Sequence, residues 1–187
     1  MILVLVGHVP PSDLASKVIY SFHIPLFFAL SGLLHNPDRF AHLGGLLKAR
    51  SRTLLLPYFA YSAIGYCAWL ALWVSRHNPW NWTEVLEPLT GTLLGIRNSS
   101  FFHGTLWFVA CLFLTEILFH CIHRLLGRKS LLAFLMAFPF AAYAFHPLVA
   151  IRFFPWSVDC AFLALVFFSF GHLLREFRAN SPGAWSS

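Results

Sequence analysis

Three ionisable side chains stand where an apolar sequence has little room for them: His8 closing MILVLVGH, His23 inside FHIPLFF, and Glu116 in the middle of LWFVACLFLTEILF. An imidazole titrates near neutral pH, so it can take a proton from a hydroxyl and hand it on, which is general-base chemistry. An ionised acid at the centre of a membrane helix costs roughly 2.5–3.5 kcal/mol, so such residues usually face a bundle interior or a wet cavity. The fourth feature is cationic. KARSRTLLLPY at 48–58 sets Lys48, Arg50 and Arg52 just ahead of an apolar run. Arg offers a planar fork to phosphate, so one role is an anionic-ligand site; the other is a topology anchor at the membrane surface.

Each of these residues also has a plain structural role. Residue chemistry alone favours His8 as an interfacial histidine beside the Pro10–Pro11 turn, and Glu116 reads equally as a protonated or hydrogen-bonded packing residue. His23 precedes Pro25, which removes a backbone donor and leaves a carbonyl free near the imidazole. That kink either lines a ligand site or only bends a helix.

The elements that must position these groups are membrane helices. Hydrophobic residues make up 58% of the 187-residue chain and charged ones 11%. Ordinary soluble domains carry about 25% charged residues, so lipid is the expected solvent. A spanning helix needs about 20 apolar residues, and five runs meet that need: roughly 18–35, 53–75, 104–122, 131–150 and 158–174. MILVLVGH is too short to cross and reads as the end of a helix that begins earlier. The expected fold is all-α, a polytopic transmembrane bundle over residues 1–175 that is incomplete at its N-terminus and C-terminus, with a disordered tail over 176–187.

Charge placement sets the orientation. With 36–52, 120–130 and 175–187 on one side, that side holds nine of the thirteen basic residues, and the positive-inside rule makes it cytoplasmic. Loops 36–52 and 123–130 and the C-terminal tail are therefore expected in the cytoplasm. The 76–103 connection, with Trp80 and Trp82, is expected outside it.

Several function classes drop out. The basic residues lie in short clusters between apolar runs, so the net charge of +6 carries no nucleic-acid signal. Cys67, Cys111, Cys121 and Cys160 are scattered singly, which speaks against a disulfide framework or zinc ribbon. His120 and His123 are three apart, but neither HExxH nor a third ligand accompanies them in sequence, so no metal site is expected. GxGxxG, Walker and GxSxG patterns are absent.

Four stretches taken in order, LVLVGHV at 3–9, FHIPLFFALSGLL at 22–34, RTLLLPYF at 52–59 and GTLWFVACLFLTEILF at 104–119, resemble the acyltransferase family 3 membrane proteins, nearest the fucose 4-O-acetylase type. PWSVDCAFLALVFFSFGHLL at 155–174 is more weakly similar. The resemblance implies transfer of an acetyl group from acetyl-CoA to a hydroxyl of a sugar or surface glycan, in the inner (cytoplasmic) membrane, by a bundle with more spans than the five visible here. It implies that His8 matches the family's first-helix histidine and acts as general base, with Glu116 orienting the histidine or substrate. His23 and Trp107 are then the candidate substrate contacts, and Lys48, Arg50 and Arg52 meet the phosphates of acetyl-CoA. The family's Arg-x-x-Arg is not reproduced, because Ala49 stands three before Arg52. Rival readings are a transporter-like or glycan-export component using the same intramembrane polar groups, and an inactive, shortened paralogue.

Overall fold

The computed structural model describes residues 13–76, 81–94, 106–125 and 155–180, with side chains from residue 22 onward. Helices dominate these segments and no strand occurs among them. The expected span at 131–150, the helix end carrying His8, and residues 181–187 lie outside the described residues.

Helix α1 (Asp13–Leu34) contains Pro25. It ends where Asn36 caps a short 3-10 turn, its side chain accepting the Asp38 N–H at 3.2 Å. Helix α2 (Leu43–Arg50) then runs without a break into α3 (Leu56–Ser75) through a π turn at Ser51–Leu55. Within that turn the Leu56 N–H reaches back five residues to the Ser51 carbonyl. Pro57 has no N–H to give and its ring crowds the carbonyl four residues earlier, which is a reason for the helix to widen here. The basic stretch expected as the end of a loop is thus helical, and Leu43–Ser75 is one 33-residue apolar helix. Its length is about 50 Å, well beyond the ~30 Å hydrocarbon core.

Helix α4 (Trp82–Leu94) lies inside the 76–103 segment expected as a connection. Asn81 starts it: its side chain accepts the Thr83 N–H at 3.0 Å and donates to Glu84 at 3.0 Å, close to a capping box. The Tyr58 hydroxyl donates to the Thr92 carbonyl at 2.8 Å, and the Tyr66 hydroxyl to the Val85 carbonyl at 3.1 Å. The crossed order of these partners makes α4 run antiparallel along α3.

Helices α5 (Trp107–Leu125) and α6 (Val158–Asn180) complete the described fold. The boundary expected at 175/176 falls inside α6, because Glu176–Asn180 continues the same helix. With α2–α3, these are the three helices among the described residues that are long and apolar enough to cross a membrane.

Helices α1, α5 and α6 pack together and run in the same direction. Phe28 lies against Phe108 with ring centroids 5.0 Å apart, and His35, two turns on, against Phe119 at 5.5 Å. Phe28 clusters with Cys111, Ala161 and Ala164, while Phe119 clusters further along with Leu165 and Phe168. A lipid-solvated bundle gains little from hiding apolar surface and coheres through close van der Waals contact, so small residues matter at its crossings. Gly32 and Gly171 are those residues: a Cβ on Gly32 would run into the Phe168 carbonyl, and one on Gly171 into the Ala29 carbonyl. On the far side of α1, Phe22, Leu26, Leu30 and Leu34 recur every fourth residue and are exposed, as a lipid-facing stripe requires.

Parallel α1 and α5 need one return crossing between them, and α2–α3 supplies it. Phe40 meets the end of α5 through a 2.8 Å hydrogen bond from Arg124, whereas Arg50 meets its middle, so α2 runs against α5.

Candidate functional site

Glu116 sits in the third turn of α5 and is 4% exposed. Its neighbours Thr115 and Cys111 are also fully buried, and the Thr115 hydroxyl bonds back to the Cys111 carbonyl at 2.8 Å, so this face of the helix points inward. The residue that reaches it is Arg50, whose Nε forms an ion pair with Oε2 of Glu116. Because Arg50 is the last residue before the π turn, the widened backbone helps decide which way the three cations point. Arg50 goes inward, half-buried; Lys48 and Arg52 remain exposed. A pair held in low dielectric is cohesive only when both charges stay, because a lone buried charge is costly.

The other sequence candidates occupy different places. His23 is half-buried and edge-on to Phe27 at 6.4 Å; Phe27 touches Phe108 at 5.8 Å, and Phe108 touches Trp107 at 6.5 Å. His23 and Trp107 therefore belong to one aromatic wall at the upstream part of the bundle. Trp107 precedes Glu116 by nine residues, about 13 Å along the helix axis. His8 lies outside the described residues, so its relation to Glu116 is not part of this geometry.

Sequence reasoning missed a second cluster, at the C-terminal ends of the three parallel helices. His35, His120 and His172 are buried and His123 half-buried. Phe119 is their shared neighbour: His35 lies edge-on to it at 5.5 Å, His123 stacks on it at 5.6 Å and His172 meets it edge-on at 4.9 Å. Neither ring nitrogen of His35 finds a hydrogen-bond partner among the described residues, while its carbonyl accepts from Arg175. No local motif carried this cluster, because its members are brought together from α1, α5 and α6. His123, His172 and Glu176 present ligand atoms all within 4.8 Å of one another. The expectation that histidine spacing offers no metal site rested on single helix faces and missed this grouping across two helices.

Arg124 and Arg175 end at this same pole of the bundle, each donating to a backbone carbonyl of the 35–40 connection. Of the basic residues counted onto one side by sequence, Arg124 and Arg175 thus meet at one end of the bundle, with the Arg50–Glu116 ion pair about two turns deeper, while Arg128 and Lys129 lie outside the described residues.

Parallel apolar helices, an outward lipid-facing surface and inward-turned ionisable groups define a polytopic α-helical membrane protein. Within that class the chain belongs to acyltransferase family 3: it matches the family described as "Acyltransferase domain" over residues 1–187. No curated protein and no solved structure matches it.

Proposed function

We propose that the protein is an O-acetyltransferase of the inner (cytoplasmic) membrane that moves an acetyl group from acetyl-CoA to a hydroxyl of a sugar or surface glycan, of the fucose 4-O-acetylase type. Membership of the acyltransferase family along the whole chain carries the reading. The geometry that accords with it is an exposed cationic stretch at Lys48 and Arg52, around the π turn, standing beside a buried Arg50–Glu116 pair. In this scheme Lys48 and Arg52 receive the phosphates of the donor, both being exposed and free to meet an anion from the aqueous side. Arg50 ties Glu116 to the same helix end and so couples donor binding to the bundle interior.

The reaction itself needs one base. His8 withdraws the proton from the acceptor hydroxyl as its oxygen attacks the thioester carbonyl; the C–S bond breaks, and the departing thiolate takes up a proton. His23 and Trp107 line the aromatic wall on which a sugar ring stacks.

Purified protein in liposomes, supplied with acetyl-CoA labelled in the acetyl group and a panel of glycans, tests this directly. Labelled ester on the glycan, lost in His8→Ala with the protein still inserted, is the expected result. Glycan flux across the liposome without any ester formation would replace the enzyme with a transport component.

A further inference from the structure

We infer that His123, His172 and Glu176 form a binding site for a divalent ion of the zinc class, pinning the C-terminal ends of α5 and α6 together. The inference is independent of the acetyl-transfer reading. Two imidazoles and one carboxylate are a recurrent zinc donor set, with a fourth position left to water. Here the three donors come in the arrangement that helices favour. His172 and Glu176 are four apart on α6 and share one face, and His123 arrives from α5.

The distances are close to what an ion needs. Zinc–ligand bonds of about 2.0–2.1 Å at tetrahedral angles place donor atoms about 3.4 Å apart. His172 Nε2 already stands 3.4 Å from Glu176 Oε1. All three donor atoms lie within 4.8 Å of one another, so the remaining closure is about 1.4 Å, which a side-chain rotation of half-buried His123 covers. The two imidazole rings are nearly perpendicular, 85° with centroids 5.3 Å apart, and so flank a common point without stacking on each other.

The surroundings hold the ligands in place. Phe119 packs against both rings and sets their planes. His172 is 2% exposed, and its donor nitrogen Nε2 makes no hydrogen bond among the described residues. A buried imidazole at a helix end with this shortfall is better satisfied by a metal bond than left as it is. The nearest cations do not compete: Arg124 donates to the Phe40 carbonyl and Arg175 to the His35 carbonyl.

The test uses the full chain in nanodiscs, stripped with chelator and then titrated with Zn²⁺, with Co²⁺ as a spectroscopic substitute. The wild type is expected to bind one equivalent, to show the intense visible bands of tetrahedral Co²⁺, and to melt at a higher temperature when loaded. Glu176→Gln, nearly isosteric and half-exposed, and His123→Gln should each weaken binding at least tenfold and abolish the thermal shift, while His42→Gln, at an exposed position outside the group of ligands, should not. Helicity by circular dichroism checks that the variants are folded. Wild-type binding no tighter than that of a His123→Gln/Glu176→Gln double variant would overturn the site, as would full stoichiometry and affinity in both single variants.

Discussion

Arg50, the last residue of α2, forms an ion pair with Glu116 from the middle of α5, and the Arg side chain keeps 29% of its surface exposed while the Glu keeps 5%. The asymmetry gives the two residues different roles. Glu116 is committed to the interior, whereas Arg50 stands between that interior and the aqueous end of the bundle. Any anion drawn to Lys48 and Arg52 therefore binds within two residues of the side chain that neutralises Glu116.

That relationship has a thermodynamic signature. Removing Arg50 strands a buried carboxylate, and breaking a buried pair in this way costs about 3–5 kcal/mol. Arg50→Ala should therefore lower the unfolding midpoint in nanodiscs sharply, while Arg50→Ala/Glu116→Ala, which leaves no unpaired charge, should recover most of the loss. Equal destabilisation by the single and the double variant would mean that the pair contributes no coupling.

The helices were legible in the sequence because lipid demands long apolar runs, and the runs at 18–35, 53–75, 104–122 and 158–174 coincide with α1, α3, α5 and α6 to within a few residues. Two elements were not. Helix α2 carries Gly44, Gly45, Lys48 and Arg50, a composition that reads as a polar connection, and only its continuation through the π turn into α3 shows otherwise. Helix α4 does have a local signal, Asn81 followed three residues later by Glu84, but at 13 residues it is too short to register as a spanning run. Glu116 stood out as an intramembrane acid, yet no local rule could pair it with Arg50 across 66 residues. The histidines around Phe119 carry no signal along the chain, since spacing along one helix says nothing about three helices ending at the same level.

The glycines make opposite predictions at two places. Gly32 and Gly171 sit where α1 and α6 touch through backbone, so Gly171→Ala must push the helices apart and should cost about 1–3 kcal/mol, the usual range for overpacking. Gly44 has nothing within 4 Å of an added Cβ, and Gly44→Ala should stabilise α2 by up to about 1 kcal/mol through helix propensity alone. Thermal unfolding of both variants in one nanodisc preparation compares them, and a loss at Gly44 as large as at Gly171 would contradict the close crossing.

Tyr58 and Tyr66 hold α4 against α3 by donating to backbone carbonyls of that helix. Tyr58→Phe should cost about 1 kcal/mol, the net worth of one such bond, and leave a part-buried carbonyl short of its partner. The double Tyr58→Phe/Tyr66→Phe variant should free α4 locally while α1, α5 and α6 stay packed. Hydrogen exchange followed by mass spectrometry is expected to show faster exchange confined to 82–94; uniform loss of protection in the whole bundle would place the tyrosines in the global core instead.

The parallel course of α1, α5 and α6 makes the orientation of the chain an all-or-none question, because all three C-terminal ends must lie on the same side. That end carries Arg39, Arg124, Arg175 and Arg178, and under the proposed orientation, which follows the positive-inside rule, it is expected in the cytoplasm. Asp38, exposed in the turn after α1, then belongs to the cytoplasmic side, and Glu84, exposed in the first turn of α4, to the opposite one. In a background with Cys67, Cys111, Cys121 and Cys160 replaced by Ser or Ala, Glu84→Cys should react with a membrane-impermeant maleimide in intact cells, and Asp38→Cys only after permeabilisation. The reverse pattern would invert the whole bundle and count against the proposed donor site at Lys48 and Arg52. Labelling of both positions in intact cells would break the parallel arrangement itself, since Asp38 and the end of α5 are tied through the Arg124–Phe40 hydrogen bond.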